Sequence, residues 1–434
     1  MTVSPELLRA SAAHFVDGEL AIEDVALADI ADAVGTPVYV YSSAMFASQY
    51  QLLVEALEGL PNRLHYAVKA NSTLAVLKQF ADLGAGFDIV SGGELGRVLA
   101  AGGDPSHVVF SGVGKSTEEI DFALKTKIEC FNVESAGELT RISERAKVLG
   151  KVAPIALRIN PNVDAQTHPY ISTGLRENKF GIAQENAPAL YRLAAADPHI
   201  QVRGIACHIG SQIGDPQPLF DALEQLLALV DALKNEDIVL TDIDLGGGFG
   251  VTYDEEPAFD VTAWGRRVKE RLDDRGLQLS IEPGRFLTAN AGVLLTRVEY
   301  LKIGDENSGS NEASSAGKHF AVVDAAMNDL LRPSLYQAWH GVLAVKQQNT
   351  QDAARTWDIV GPICESGDWL AKDRQMSLCV GDLLCVLSAG AYGSTLSSNY
   401  NTRPRAAEVI VDGGTFRLVR RRESLQDLLT TEML

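Results

Sequence analysis

Apolar, β-branched stretches recur at nearly constant intervals along the chain, and this beat restricts the fold more than any composition value. HYAVKA begins at residue 65, GFDIVS at 86, HVVFSG at 107, ECFNVES at 129 and APIALRIN at 153, giving intervals of 21, 21, 22 and 24 residues. Each interval holds one strand, one helix and two short loops. The intervening segments read as helices. In 72–84, Leu74, Leu77, Phe80 and Ala81 stand at helical spacing ahead of Gly84. Ser116-Thr117-Glu118-Glu119 and Ser135-Ala136-Gly137-Glu138 both match the capping-box pattern that opens a helix. Three further strand-like stretches follow: RGIACHIG from 203, DIDLGGG from 242 and LSIEPG from 279. Eight strands alternating with helices predict an α/β chain with a (β/α)8 TIM-type barrel.

The polar residues in this pattern favour the barrel over an open doubly wound sheet. Lys69, Asp88, Glu134, Arg158, His208, Gly246 and Glu282 stand at or near the carboxyl ends of their strands, the face where barrels build active sites. An open sheet would concentrate a glycine fingerprint at one switch point. Beyond Arg285 the texture changes: RVEYLKI, KHFAVVDAA, TWDIVGPICES, DLLCVLSAG, AAEVIVDG and TFRLVRRR are strand-like, with few helical patterns between them. The expected organisation is a barrel over 35–284 and a second, mostly β domain from 285–434. That domain is joined by 1–34, with a short strand near Glu19–Leu20. The polar, low-complexity segment 305–317 reads as a hairpin loop without a catalytic role.

Composition excludes several classes. A formal charge of −19 disfavours nucleic-acid binding. No apolar run is long enough to span a bilayer, and the start MTVSPELLRASAAHF lacks a basic segment followed by an apolar core, so no membrane partner and a cytoplasmic location are expected. Cys130, Cys207, Cys364, Cys379 and Cys385 are odd in number and scattered, fitting neither a disulfide framework nor a zinc site, and no metal is expected.

Several residues carry two readings each. Lys69 suits a surface lysine with its stem over apolar neighbours. Buried at a strand end, it would be a desolvated, nucleophilic amine able to form a Schiff base. The run Gly246-Gly247-Gly248-Phe249-Gly250 is either a tight turn or a row of N–H groups around a phosphate. His208 suits a satisfied core histidine as well as a site residue, and Glu282 could simply pair with Arg158 or Arg285. Glu282-Pro283-Gly284-Arg285 brings an acid, two backbone-shaping residues and a guanidinium to the end of one strand.

YAVKAN, FDIVSGGEL, FNVES, HIGSQI, DLGGGFG, EPGR, CESGD and AGAYG, in this order over nearly the whole chain, together resemble the alanine racemase-type (fold type III) pyridoxal-phosphate decarboxylases. STGLRENKFGI (172–182), MNDLLRPSLY (327–336) and GPICESGD (361–368) are similar to the branch that acts on meso-diaminopimelate. The resemblance implies that Lys69 carries pyridoxal phosphate, Glu282 pairs with its ring nitrogen and His208 stacks on the ring. Asp88 and Arg158 belong to the same cofactor site, with Arg158 supporting His208 or Glu282. Ser211, Gly246, Gly247, Gly248, Arg285 and Tyr392 are its phosphate candidates, and Gly284 also belongs to the cofactor site. Arg285, Arg332 and Tyr336 would hold the distal carboxylate of the substrate, Glu365 its distal ammonium, and Tyr392 both substrate and phosphate. Cys364 would protonate Cα after carbon dioxide leaves, although on its own it is equally a small packed residue. A head-to-tail homodimer with shared active sites is also implied.

The expected reaction is therefore decarboxylation of meso-2,6-diaminopimelate to L-lysine. Ornithine, arginine and carboxynorspermidine are the alternative substrates, and a non-catalytic cofactor-binding relative is the rival of a different class. Arg332 with Glu365 favours a substrate whose far end bears both carboxylate and ammonium. Retention of Lys69 and Cys364 argues against the non-catalytic relative.

Overall fold

All eight expected strands form in the computed structural model, which describes residues 3–164, 179–304, 317–347 and 354–434. They are β1 (Asn62–Ala67), β2 (Gly86–Ile89), β3 (Val108–Phe110), β4 (Cys130–Val133), β5 (Ala153–Asn160), β6 (Ile200–Ala206), β7 (Asp242–Asp244) and β8 (Gln278–Ile281). Every neighbouring pair is parallel, and β8 pairs back onto β1, closing the ring. Residues 172–178 of STGLRENKFGI and 305–316 of the polar insert lie outside the described residues.

Local chemistry sets the helices with small departures from the sequence pattern. The helix Leu74–Asp82 buries Val76, Leu77 and Phe80, whereas Leu74 is exposed. Its inward stripe is thus turned one position from the expected Leu74–Leu77–Phe80–Ala81 face. Ser116 and Glu119 make the full reciprocal capping box. Ser135 caps the Glu138 N–H, but the Glu138 carboxylate turns away from the reciprocal bond. It accepts the Glu134 N–H (2.9 Å) and the Lys115 ammonium (2.7 Å). Lys115 also donates to the Gly112 and Asn132 carbonyls, each at 2.8 Å, tying the ends of β3 and β4 together. A buried ammonium with three acceptors outcompetes one extra capping bond.

By contact density the chain divides into two units: Ala47–Val251 with Ala258–Leu287, which holds the barrel, and Met1–Phe46, Thr252–Pro257 and Thr288–Leu434. The second unit is mostly β. Its long strand Gly292–Lys302 pairs antiparallel with Val38–Ser42, His319–Val323 and Leu383–Val386. Val38–Ser42 in turn lies parallel to Ala407–Asp412. The expected strand at Glu19–Leu20 forms as Glu19–Ile22, between Ala13–Val16 and Val25–Ala26. Leu20, Ile22, Leu27, Ile30, Val40, Leu295 and Val409 share one apolar core in this unit. Among the described residues no helix is long and apolar enough to cross a membrane, and no cluster of His, Cys, Asp and Glu could hold a metal ion.

The amino-terminal side of the barrel carries its own charge cluster. Glu129, just before β4, pairs with Arg63 Nη1 at 2.5 Å and with His65 Nε2 at 3.1 Å. Burial opposes its ionisation, but the His65 and Arg63 contacts win and hold the carboxyl down at about 2. A carboxyl lowered on folding stabilises the fold above its unfolded value near 4.5, and that contribution is lost as pH falls toward 2. Glu129→Gln is therefore expected to cost about 3 kcal/mol at neutral pH. It should also flatten the acid side of the stability profile. Urea unfolding followed from neutral pH down to about pH 3 tests this, and an unchanged acid slope would count against it.

Candidate active site

The carboxyl ends of the barrel strands deliver most of the residues singled out from sequence to one place. Lys69 lies in the single turn Val68–Ala70 that follows β1. Its flanks Val68 and Ala70 are buried, but its own side chain is 37% exposed and its Nζ lies 2.6 Å from Asp88 Oδ2 at the end of β2. The expected desolvated amine is thus an ion-paired one. The backbone buries its two neighbours while the long side chain reaches out of the wall into a cavity. That cavity, of about 190 Å³, is lined by Lys69, Val90, Ser111, Gly112, Asn132, Arg158, Phe180, Ala206, Cys207, His208 and Glu282.

Three carboxylates lie near these residues, of which Glu282 lines the cavity. Asp88, Asp244 and Glu282 come from the ends of β2, β7 and β8, and all are buried. Asn132 Nδ2 donates to Glu282 Oε1 at 3.2 Å and reaches Asp244 Oδ2 at 3.5 Å. Burial first, then the charges of Asp244 and Asp88, push the Glu282 carboxyl well above the usual carboxylate range. Burial and the neighbouring acids thus favour its protonated form, with Asp244 as a hydrogen-bond partner. Asp244 Oδ1 is fixed separately by the Gly246 N–H at 2.8 Å.

His208 is held neutral. Burial lowers its pKa well below the usual histidine value, and the charges of Arg158 and Lys69 lower it further. Its Nδ1 accepts the Gly247 N–H at 3.2 Å, which leaves the ring proton on Nε2. Arg158 acts on His208 through charge. Its hydrogen-bonded partner is Glu134, at 2.7 Å, and its guanidinium lies 4.9 Å from the centre of the Phe180 ring.

The glycine run is both a tight turn and a close-approach site. A Cβ on Gly247 would fall 2.1 Å from the Glu282 carbonyl oxygen, and one on Gly248, at φ +101°, would fall 2.3 Å from that of Gly210. No side chain fits at either position. Gly246 and Gly247 direct their N–H groups to Asp244 and His208, so the run is not the uniform row of anion donors expected. Arg285, which opens the turn after β8, donates to Ser211 Oγ from Nη2 at 3.1 Å. A Cβ on Gly284 would fall 3.1 Å from the Ala67 and Ala70 methyl carbons.

The β-rich unit holds the other candidates. Arg332 and Tyr336 bound the short helix Arg332–Tyr336, with Arg332 buried and Tyr336 half-buried. Cys364 and Glu365 are exposed, and the Tyr400 hydroxyl donates to Glu365. Tyr392 has a positive φ of 55° at the end of AGAYG. Sequence reasoning missed Ser111, Asn132 and Asp244. Their only signal was a polar residue inside or just after an apolar strand, which a structural hydrogen bond explains equally well.

The barrel thus gathers an ion-paired amine, a carboxyl pushed toward its protonated form and a neutral imidazole at one cavity. Residues 44–289 match the family described as "Pyridoxal-dependent decarboxylase, pyridoxal binding domain". The chain is 57% identical over 419 residues to diaminopimelate decarboxylase of Pseudomonas aeruginosa, covering 96% of this chain and 98% of that one. It is 53% identical to the Vibrio cholerae enzyme of the same name, covering 96% and 97%. The crystal structure of diaminopimelate decarboxylase from M. jannaschii in complex with L-lysine aligns with a TM-score of 0.90 at 35% identity, covering 98% of this chain and 99% of that one. The chain belongs to the pyridoxal-dependent decarboxylases and, within them, to the diaminopimelate decarboxylase family.

The Glu282 proton makes a checkable stability statement. A carboxyl raised on folding means that the folded chain binds more protons than the unfolded one once pH exceeds about 4.5, so stability falls as pH rises through that window. In cofactor-free protein, Glu282→Gln keeps an oxygen for Asn132 and removes the ionisable group. It should raise the melting temperature on the alkaline side and flatten its fall as pH rises above about 4.5. A variant that melts lower than the parent at every pH would contradict this.

Proposed function

We propose that this chain decarboxylates meso-2,6-diaminopimelate to L-lysine and carbon dioxide, using pyridoxal 5'-phosphate bound at the barrel cavity. The observation that carries the reading is 57% identity over nearly the full length to an enzyme of that name, combined with the presence of Lys69, Glu282, Arg332, Cys364 and Glu365.

The residues present fit the cofactor. Asp88 Oδ1 is buried without a hydrogen-bond partner, beside an amine able to take an aldehyde. The glycine run leaves backbone where any side chain would collide. When bound, the cofactor supplies an electron sink for the pair released as the carboxylate departs. Lys69 would hold it through its amine, and Asp88 would keep that amine charged until it reacts. Burial and neighbouring acids push the Glu282 carboxyl toward its protonated form, so it could offer a proton to the ring nitrogen. A neutral His208 can lie against the ring without adding a positive charge that would compete with that proton. Ser211, Gly248, Arg285 and Tyr392 are the phosphate candidates, and Arg285 brings the compensating charge.

Substrate selection falls to Arg332, Arg285 and Tyr336 for the distal carboxylate and to Glu365 for the distal ammonium. Cys364 Sγ would deliver the proton to Cα. The exposure of Cys364 and Glu365 on the single chain supports a head-to-tail homodimer in which they complete a neighbouring site. A cytoplasmic location belongs to the same proposal.

The test is carbon dioxide release from meso-diaminopimelate, ornithine and arginine in parallel, with release confined to the first expected. Lys69→Ala should abolish the visible absorbance of the bound aldehyde and turnover together; retention of both would exclude Lys69. Cys364→Ala should bind cofactor normally but lose roughly 10²- to 10⁴-fold in turnover. A parent-like rate with lysine as sole product would leave Cys364 merely a packed thiol.

A further inference from the structure

The Arg332 side chain is not left to find its own orientation. The chain leaves the short helix Arg332–Tyr336 through Gln337, at φ 53°, and the Ala338 N–H returns to the Arg332 carbonyl at 3.3 Å. This reversal carries His340 back beside Arg332. His340 is fully buried. Its Nδ1 lies 2.8 Å from the Leu387 carbonyl oxygen and its Nε2 lies 2.9 Å from Arg332 Nη1.

These two contacts fix the histidine's protonation. A carbonyl oxygen can only accept, so Nδ1 carries the proton. A guanidinium nitrogen can only donate, so Nε2 is bare and accepts. An imidazolium would put a second N–H against Arg332 Nη1 and break the contact. The surroundings hold both partners in place. Arg374 Nη2 donates to the His340 carbonyl at 2.9 Å while its guanidinium lies 4.2 Å from the centre of the Trp339 ring. The Tyr253 ring meets His340 edge to face at 5.6 Å, with the Arg332 guanidinium 4.5 Å from its centre.

We propose that His340 is a positioning residue for substrate specificity: as a neutral acceptor it orients the Arg332 guanidinium for a carboxylate ligand. A carboxylate in its place would satisfy the same N–H but would also cancel the charge that the ligand needs. A bare imidazole nitrogen satisfies the N–H and leaves the charge intact. The proposal rests on the reading that Arg332 receives the distal carboxylate.

Two amide variants separate this role from a structural one, because each copies one ring nitrogen. The glutamine amide of His340→Gln reaches the place of Nε2 and can accept from Arg332. The shorter asparagine amide of His340→Asn reaches the place of Nδ1 and can donate only to Leu387. Assays on the holoenzyme would measure kcat and KM for meso-diaminopimelate and inhibition by L-lysine, which retains that carboxylate, and by 1,5-diaminopentane, which lacks it. In His340→Asn, KM should rise and L-lysine inhibition weaken by roughly 10-fold or more, with kcat and diaminopentane inhibition within about twofold. His340→Gln should remain within about threefold of the parent on every measure.

Equal losses in both variants, or a loss confined to kcat or shared by diaminopentane, would overturn the proposal. Arg332→Ala separates the two claims. If it leaves KM and L-lysine inhibition unchanged, the assignment of Arg332 fails. If it alone impairs them and His340→Asn does not, only the role of His340 fails. A measurement on the parent holoenzyme guards against misfolding of His340→Asn. With ¹⁵N-labelled histidine, the signal missing from His340→Gln should show Nδ1 protonated and Nε2 bare, with and without L-lysine. An imidazolium, or the opposite tautomer, would sink the idea.

Discussion

Closing eight parallel strands into a ring fixes what the rest of the barrel must do. A closed ring has no sheet edge, so every inward-pointing polar group must be satisfied by another inward-pointing group or by a ligand. Three buried carboxylates enter that interior near the carboxyl ends of the strands. Their mutual repulsion is relieved in two ways. Asp88 takes the Lys69 ammonium, and the Glu282 carboxyl is pushed toward its protonated form beside Asp244. Asn132 bridges the second pair from β4. The charge pattern of the cavity thus follows from how many acids the strand ends deliver and how few cations can reach them.

The backbone answers to the same crowding. Gly246, Gly247 and Gly248 lie against the Cys207, Glu282 and Gly210 carbonyls at distances that no Cβ would survive. The space is not wasted, because Gly246 and Gly247 donate to Asp244 and His208 and thereby fix the orientation of an acid and the tautomer of an imidazole. A glycine run read as a phosphate loop therefore doubles as a clamp on the ionisable groups beside it. The same economy governs Arg158, whose pairing with Glu134 leaves it to influence His208 by charge alone.

Much of this was legible in the order of residues because barrels repeat. Spacing of just over twenty residues marked the first five strands, apolar stretches at wider intervals marked the last three, and polar residues at their ends marked Lys69, Asp88, His208 and Glu282. What escaped the sequence was pairing. Glu138 matched a capping box yet bonds Glu134 and Lys115, since sequence spacing cannot show a buried ammonium arriving from another loop. Ser111, Asn132 and Asp244 were unreadable for the same reason. A polar residue in an apolar strand acquires meaning only when its opposite strand is known. In His340, an isolated histidine after an aromatic pattern, the tautomer is set by the Leu387 carbonyl, 47 residues away in sequence.

The two sets of ionisable groups obey opposite electrostatic logics, and each suits the proposed chemistry. Around the barrel cavity, burial suppresses charge: it pushes the Glu282 carboxyl toward its protonated form and holds His208 neutral. An electron-poor ring gains from a proton on its nitrogen, and a second cation nearby would weaken the hold on that proton. Recognition of a carboxylate needs the reverse, a full positive charge in a fixed direction. Arg332 keeps its charge because the partner at Nη1 is a neutral imidazole nitrogen and the neighbouring Tyr253 face is itself attractive to a cation. One histidine thus stays neutral because cations and burial surround it, and the other because its hydrogen-bond partners admit a single tautomer. In both cases the neutral imidazole matters for the charge it withholds.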